Sequence, residues 1–374
     1  MALLHMHTQP DMTRHVVEKR LFVDEPVIVV DVGARGGYDE AWDAFGDQLA
    51  VIGFEPEPAE CERLNTNAPP HVAYLPYALG AREETREFYV AAFSGSSGLC
   101  SGDTEFIQRF FEGDNLKTVR TESIQVYPLD SVLAQRGIGP VNFIKLDCEG
   151  ADLEVLQGAE RILHQPQTLG VLVEVWFQKE SRRCGYTFVD IHEHLTERGF
   201  FLFDMDSYRY NRRAMPFPFV SDIRDEAGRL IPGQTTHGQI IRGDALYFRD
   251  FIQNPLQTPR DENALLLLKL ACFYEIWGLQ DCAAELLLHY KSDLSALVDT
   301  EQLLDLLTPE LGGIKLSYRE YVQWTQSNPL SLRPSLSSVP DVLKRGAEVI
   351  LRFEGKPGAI LRHGLRWLAR RGKK

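Results

Sequence analysis

The sequence predicts an α/β protein with a mostly parallel sheet, followed by an α-helical extension. First, short apolar runs alternate with amphipathic stretches from about residue 27 to residue 250, as repeated βαβ units require. Second, a glycine-rich turn directly follows the first apolar run, at a predicted strand-to-helix junction. Third, the chain changes after Pro259 to Leu- and Ala-rich stretches with helical spacing.

Seven apolar runs are predicted to be strands, with helices between them. The strands are expected at 27–31, 51–55, 72–78, 141–147, 169–177, 200–205 and 245–249. Helices are expected to begin near Asp39, Pro58 and Leu129, and to cover about 151–163 and 188–198. Gly199 directly follows the last of these helices, which is a typical C-terminal signal.

Four parts of the chain are predicted from these patterns. They are an N-terminal segment (1–25), an α/β domain (26–255), a helical extension (256–326), and a linker with a basic tail (327–374). An insert at 91–121 interrupts the α/β domain with a Ser/Gly-rich piece and an aromatic piece, and we predict that it forms a lid. In the extension, two helices are expected within 262–290, joined near Gly278.

Composition narrows the classes of protein to which the chain can belong. Its 374 residues are 44% hydrophobic and 25% charged, which is ordinary for a globular protein. Neither a long apolar run nor a secretory signal is recognised, so a cytoplasmic protein is expected. The six cysteines are widely spaced without a CxxC pair, which predicts free thiols rather than a zinc site or a disulfide framework.

Charge is distributed unevenly along the chain. The net charge of −13 argues against a nucleic-acid partner. Residues 341–374 nevertheless contain ten Lys and Arg against three acidic residues, and Trp367 lies among leucines there. Two interpretations stay open for this tail: peripheral contact with an anionic membrane surface, or a solvated terminus.

The glycine-rich turn lies in VIVVDVGARGGYDEAW (27–42). A P-loop would need GxxxxGK[ST], which this turn lacks. A dinucleotide site would need GxGxxG, whereas Gly33, Gly36 and Gly37 have a different spacing. The third candidate ligand for this turn is S-adenosylmethionine. It is a cation and favours an acid at the end of the first strand, where Asp31 lies. A tight turn that holds no ligand is the alternative interpretation.

Further acids are predicted at the same edge of the sheet. Glu55 ends the second strand, where a carboxylate can accept hydrogen bonds from both ribose hydroxyls. Asp147 and Glu149 follow the fourth strand in one short loop. Because ligands of open α/β sheets bind at the carboxyl ends of the strands, these acids favour a functional site. The alternative for the second pair is a helix N-terminus, where acids are also favoured.

These motifs together resemble the FkbM family of S-adenosylmethionine-dependent methyltransferases. The matching pieces are DVGARGGY (31–38), GFEPEP (53–58), the Ala-Leu-Gly of PYALG (76–80), SGSSGL (94–99), the Leu-Asp of VYPLDS (126–131), IKLDCEGADLEVLQGA (144–159) and VEVWF (173–177). The resemblance covers about residues 25 to 250. The family usually has Asn where this chain has Arg35, so that residue is expected to pair with an acid or with the cofactor carboxylate.

The resemblance implies a Rossmann-like class I methyltransferase sheet, mostly parallel with one antiparallel strand at 245–249. It implies S-adenosylmethionine as the cofactor, and O-methylation of a sugar, a glycan or another natural product, as in polysaccharide biosynthesis. The predicted cofactor-binding residues are Asp31, Gly33, Ala34, Gly37, Glu55, Pro56, Ala78 and Asp147.

A hydroxyl acceptor needs a general base or a metal, because it is a poor nucleophile at neutral pH. Asp147 and Glu149 are the predicted catalytic residues, as base or as ligands of a divalent metal. Glu174 and His237 are weaker candidates. The aromatic residues of the insert, such as Phe106 and Phe110, are expected to close over the site or to pack the insert onto the domain.

Two other functions compete with methyl transfer. An NAD-dependent oxidoreductase would share the sheet class, but it needs the dinucleotide fingerprint that the sequence lacks. A non-catalytic S-adenosylmethionine-binding or scaffold protein would use the helical extension to bind a partner. The sequence leaves the oligomeric state open.

Overall fold

The computed structural model describes residues 4, 6–220, 224, 228, 230–256, 260–311 and 314–327. Contacts divide the chain into two units, Met1–Leu307 and Thr308–Lys374. In the second unit a two-stranded hairpin is followed by a helix, Tyr318–Ser327. The predicted linker and basic tail beyond Ser327 lie outside the described residues. Within the described ranges, no helix combines the length and apolar character needed to cross a lipid bilayer.

Strands and helices alternate along most of the first unit. In chain order the strands are β1 (Val27–Val32), β2 (Leu49–Phe54), β3 (Val72–Leu75), β4 (Ala78–Leu79), β5 (Glu84–Ala91), β6 (Thr118–Tyr127), β7 (Phe143–Leu146), β8 (Gly170–Trp176), β9 (Phe200–Met205), β10 (Tyr208–Tyr210) and β11 (Gln239–Arg249), with β12 (Glu310–Leu311) and β13 (Ile314–Lys315) in the second unit. The helices are α1 (Asp11–Glu18), α2 (Pro58–Asn67), α3 (Leu129–Arg136), α4 (Asp152–Gln157), α5 (Glu160–Leu163), α6 (Phe188–Thr196), α7 (Arg260–Ile276), α8 (Gln280–His289), α9 (Lys291–Leu294) and α10 (Thr300–Leu307), with α11 (Tyr318–Ser327) in the second unit. A 3₁₀ helix, Glu40–Gln48, joins β1 to β2.

The main sheet has the order β10-β11-β8-β7-β1-β2-β3, and β9 also pairs with β11. Strands β3, β2, β1, β7 and β8 are parallel, whereas β11 is antiparallel to β8. Both β9 and β10 are antiparallel to β11 and therefore run in the direction of β8. The prediction of a mostly parallel sheet with one reversed strand near residues 245–249 is confirmed.

A second sheet, of order β4-β6-β5, was not predicted. The run predicted as one strand over 72–78 ends at Leu75, and Ala78–Leu79 pairs with β6 instead. Pro76 lies at the break, where it cannot donate a backbone hydrogen bond to a sheet. Strand β6 is mostly exposed, so its sequence lacks the apolar pattern that marks a buried strand.

The helix predicted over 151–163 is two short helices, α4 and α5, that meet near Gly158. A Cβ atom on Gly158 would lie 2.1 Å from the carbonyl oxygen of Gly80. The backbone at Gly80, which directly follows β4, therefore approaches the junction of α4 and α5 so closely that only glycine fits at position 158.

Helix α7 packs an aromatic face against the α/β domain. The Phe273 ring lies 5.8 Å from that of Phe143 in β7 and 5.6 Å from Trp42, between ring centroids. Trp277 stacks on Phe143 at 5.7 Å. At the opposite side of α7, the buried Glu275 carboxylate accepts hydrogen bonds from the backbone N–H groups of Met12 and Thr13, at 2.9 and 2.7 Å. The helix therefore joins the N-terminal segment to the sheet.

Replacing Phe273 with Ala is expected to destabilise the protein by about 3–5 kcal/mol, because a fully buried ring is lost and a cavity remains. Urea unfolding followed by tryptophan fluorescence measures this loss. Leu288→Ala on the neighbouring α8 is the control, since Leu288 is 44% exposed. If both variants unfolded at the same urea concentration, α7 would not be part of the domain core.

Candidate functional site

Acids follow or end three neighbouring parallel strands. Asp31 lies near the end of β1, Glu55 directly follows β2, and Asp147 directly follows β7. Since β1 pairs with β2 on one side and with β7 on the other, the acids lie at one edge of the sheet. The Asp147 N–H donates to the carbonyl oxygen of Val32 at 3.0 Å, which fixes the start of its loop against β1.

The glycine loop turns tightly around the end of β2. The N–H groups of Gly33 and Ala34 both donate to the Phe54 carbonyl oxygen at 3.1 Å. Gly33 has φ +77°, and a Cβ atom there would lie 2.0 Å from the Asp147 carbonyl oxygen. Gly37, at φ +100°, lies beside the Tyr74 hydroxyl. Glycine at position 33 thus lets two loops of the site touch.

Arg35 pairs with an acid. Its Nη1 donates to the Glu57 carboxylate at 2.6 Å. Of the two roles expected for this residue, the structure supports the ion pair with a neighbouring acid.

Lys145 lies between two of the predicted site acids. Lys145 in β7 lies beside Asp31 of β1 in the parallel pairing of these two strands. Its Nζ lies 3.0 Å from Asp31 Oδ1 and 3.9 Å from Asp147 Oδ2. Burial opposes the charge on Lys145, but the two carboxylates outweigh it, so the pKa of Lys145 is raised. Burial raises the pKa of Asp31, and Lys145 limits the rise.

The Glu55 side chain is buried at the end of β2, where it accepts a hydrogen bond from backbone. Its Oε1 accepts from the Glu57 N–H at 2.8 Å across Pro56. Burial raises the pKa of Glu55, and the bond to Glu57 opposes that rise. A buried carboxylate at the end of β2 is suitably placed to accept hydrogen bonds from a ligand hydroxyl.

The loop from Asp147 to Gly150 is held by Asp152. Glu149 has φ +54°, unusual for a residue with a side chain, and Gly150 has φ +96°. The Asp152 carboxylate accepts from the N–H groups of Cys148 and Gly150, at 3.0 and 3.1 Å. Burial raises the pKa of Asp152 to about 7. Asp152, the first residue of α4, therefore shapes the loop that carries Asp147 and Glu149.

The Glu149 carboxylate forms an ion pair with the buried Arg182 guanidinium. Arg182 also lies over the Trp176 ring, 4.4 Å from its centroid. Burial, together with the nearby charge of Arg242, lowers the pKa of Arg182 to about 9. Glu149 is thus neutralised by a partner that the sequence did not indicate.

A disulfide joins Cys100 to Cys184, with the Cα atoms 5.4 Å apart. The expectation that all six cysteines are free thiols is wrong for this pair. The bond ties the insert to the loop of Arg182, and the Arg183 N–H donates to the Ser101 carbonyl oxygen at 2.9 Å beside it. The two cysteines are 84 residues apart, so their pairing depends on the folded chain.

Glu174 in β8 is fully buried and paired with Arg242 in β11. The Trp176 indole donates to its other oxygen at 3.0 Å. Burial raises the pKa of Glu174 to about 8, although Arg242 opposes the rise. Arg242 in turn donates to the Tyr210 hydroxyl at 2.8 Å. Glu174 is therefore a satisfied structural group in this network.

Three carboxylates converge in the site, those of Asp147, Glu149 and Glu174. Each offers an oxygen within 4.8 Å of the others. Carboxylate oxygens suit a divalent cation. Two of these three groups, however, are already paired with the guanidinium groups of Arg182 and Arg242. The set therefore does not fit a divalent metal.

Two other predicted residues lie away from this network. Ala78 is buried in β4 and packs with Leu99 and Ala151, so it reaches the site through the loop that follows β7. His237 is exposed, and its ring stacks on Phe217 at 5.0 Å. His237 is therefore a surface residue.

The insert packs onto the domain through its aromatic residues. Phe110 is fully buried, and Phe106 packs against it at 5.4 Å. Arg212 covers the Phe110 ring at 4.0 Å from its centroid. Phe110 shares a core cluster with Trp176 and Tyr210. Of the two expected roles of the insert aromatics, packing onto the body is the one that these contacts support.

Sequence reasoning missed Lys145, Arg182 and Arg242. Lys145 could have been found, because it lies two residues before Asp147 in an apolar strand and so shares its face. A lysine in such a strand also needs a partner. The two arginines carry no comparable local signal, since their partners are distant in sequence.

Comparison with known families gives one match, over residues 31–202, to the family described as the methyltransferase FkbM domain. The comparison with curated proteins gives no match.

Several solved structures are similar at low identity. The magnesium protoporphyrin IX methyltransferase of Synechocystis PCC 6803 with bound SAM is 8% identical, with 64% of this chain and 80% of that chain covered and a TM-score of 0.28. The precorrin-6y C5,15-methyltransferase of Geobacter metallireducens GS-15 is 7% identical, with 67% and 94% covered and a TM-score of 0.31. A TehB-like SAM-dependent methyltransferase of Corynebacterium glutamicum is 12% identical, with 64% and 88% covered and a TM-score of 0.27. Because these identities and TM-scores are low, we describe the fold by the strand order of this chain and not by these structures.

Proposed function

Because residues 31–202 match the methyltransferase FkbM domain, we propose that this chain methylates a hydroxyl of a sugar, a glycan or another natural product, with S-adenosylmethionine as donor. The contact between Gly33 and Asp147 carries the proposal. It brings the glycine loop, the predicted cofactor wall, against the loop of the predicted base. One edge of the sheet therefore offers both a cofactor pocket and a proton acceptor.

The predicted cofactor-binding residues act either through an acidic side chain or through the backbone. S-adenosylmethionine supplies, when bound, a methyl group activated by the positive sulfur. Asp31 provides a buried negative charge for the amino group, and Glu55 provides acceptors for the ribose hydroxyls. Gly33, Ala34 and Gly37 let the backbone pass close to the cofactor, and Pro56 and Ala78 complete the predicted cofactor-binding set.

Asp147 is the better base of the two predicted residues. Its side chain is 45% exposed, and its nearest cation, Lys145 Nζ, is 3.9 Å away. Glu149 is instead buried in its ion pair with Arg182, so its carboxylate is already occupied by another group of the protein. In this role Asp147 would take the hydroxyl proton of the acceptor, whose oxygen would receive the methyl group that bound S-adenosylmethionine supplies, with S-adenosylhomocysteine as the product.

Replacing Glu55 with Gln is expected to weaken S-adenosylhomocysteine binding by roughly tenfold to a hundredfold, because charged hydrogen bonds to the ribose are lost. Isothermal titration calorimetry on the full chain measures the affinity. Glu57→Gln is the control, since Glu57 lies two residues away and its carboxylate faces Arg35.

Two outcomes would contradict the proposal. Absence of S-adenosylhomocysteine binding by the unaltered protein would remove the donor. Binding without methyl transfer from labelled S-adenosylmethionine to any polyol, glycan or phenolic acceptor tested would favour the non-catalytic alternative. That alternative needs a free face on the helical extension, whereas α7 packs its aromatic residues against the sheet.

A further inference from the structure

Lys145 is a charged residue inside an otherwise apolar strand. Its neighbours in β7, Ile144 and Leu146, are buried, and β7 lies between β1 and β8. A lysine in such a position costs free energy unless its ammonium group is paired. Since another apolar residue would serve the strand equally well, the contacts of the ammonium group indicate what it does.

The Lys145 ammonium lies among three oxygens that belong to different parts of the site. Its Nζ is 3.0 Å from Asp31 Oδ1 and 3.9 Å from Asp147 Oδ2. It also donates to the Gly33 carbonyl oxygen at 3.3 Å. One cation therefore contacts the predicted cofactor acid, the glycine loop and the predicted base.

We propose that Lys145 is a positioning residue that sets the glycine loop and the carboxylates of Asp31 and Asp147 relative to one another. The inference rests on the proposed function, because it assigns Lys145 a role in the same cofactor and acceptor site. In this role Lys145 acts on the cofactor and the acceptor only through the groups it contacts, which are Asp31, Gly33 and Asp147.

Charge explains why the site needs this cation. Asp31 and Asp147 are both negative and share one ammonium group, so without Lys145 the two carboxylates would repel each other across a partly buried space. The other ionisable groups that act on Asp31 or Lys145 include Asp39, Tyr74 and Cys148. None of these three is a cation that could replace Lys145. Without it, the pKa of Asp31 rises further, which weakens the attraction of its carboxylate for the amino group of the cofactor.

The test is Lys145→Met, with S-adenosylhomocysteine as the probe in calorimetry on the full chain. At pH 7 the affinity is expected to fall by about thirtyfold or more, as for the loss of one partner of a buried charge pair. Lys145→Arg keeps the charge and is expected to recover part of the affinity. Lys291→Met is the control, since Lys291 is exposed and also pairs with an acid, Glu301.

The pH dependence separates positioning from general damage to the fold. In Lys145→Met the affinity relative to the unaltered protein is expected to improve as the pH rises, because Asp31 then loses its proton. A merely structural loss would be the same at every pH. If Lys145→Met is too unstable to purify, the double variant with Asp31→Asn removes both charges. That variant is then expected to be more stable than the single one.

The outcomes distinguish the inference from the proposed function. If the unaltered protein binds S-adenosylhomocysteine and Lys145→Met binds it equally well at every pH, Lys145 has no positioning role and the inference is overturned. If the unaltered protein does not bind the probe, the proposed function fails first. A weaker affinity that does not vary with pH and is not improved by Lys145→Arg would also overturn the inference.

Discussion

Replacing Asp147 with Asn is expected to lower the rate of methyl transfer by about 10²–10⁴, the contribution typical of a general base. The amide has nearly the same shape as the carboxylate but cannot take the hydroxyl proton. The affinity for S-adenosylhomocysteine is expected to change only a few-fold, because Asp31, Glu55 and the glycine loop remain. Transfer of a labelled methyl group under single-turnover conditions measures the chemical step.

A matched control for this prediction is Asp47→Asn. Asp47 is exposed and also lies close to a cation, with Arg20 Nη2 at 3.0 Å. It is expected to leave both the rate and the affinity unchanged. An Asp147→Asn variant that kept the full rate would show that another group accepts the proton, and Glu149→Gln would then be the next variant to measure.

Replacing Gly33 with Ala is expected to destabilise the protein by about 2–5 kcal/mol and to disrupt the site. Part of this cost is the left-handed backbone, since Gly33 has φ +77°. The larger part is steric, because the new Cβ would lie 2.0 Å from the Asp147 carbonyl oxygen and 2.9 Å from its carbon. Neither atom belongs to a flexible side chain, so the loops must separate. Urea unfolding and S-adenosylhomocysteine calorimetry measure the two effects.

Gly137→Ala separates the two costs. Gly137 also has a left-handed backbone, with φ +65° and ψ +29°, but no atom lies within 4 Å of its Cβ position. The expected loss there is about 1 kcal/mol, from backbone strain alone. Should Gly33→Ala cost no more than Gly137→Ala, the close approach of the two loops would not constrain the site.

The local pattern of apolar residues predicted the parallel sheet, but it did not predict the second sheet or the break at Gly158. Strand β1 was recognised because its residues are apolar and β-branched and a glycine turn follows. Strands β5 and β6 were missed because they form an antiparallel pair across the insert, and β6 is mostly exposed and rich in polar residues, as in TVRTESIQVY (118–127). The break at Gly158 depends on the backbone of Gly80, which is far away in sequence.

The same limit applies to the site. Asp31, Glu55 and Asp147 could be predicted to lie together, because each comes at or just after the end of a parallel strand. The ion pair of Arg182 with Glu149 could not be predicted, because it depends on how the loop after β8 folds back. The same loop carries Cys184, so the pairing of Cys100 with Cys184 could not be predicted from the sequence either.

The disulfide has a consequence for the unfolded chain. Cys100 and Cys184 are 84 positions apart, and the segment between them contains β7, β8 and the loop of Asp147. Closing a loop of this length removes conformational entropy from the unfolded state, which corresponds to about 4.5 kcal/mol in the chain-entropy description. The stability of the strands that carry the candidate site therefore depends on the thiol–disulfide balance of the surroundings.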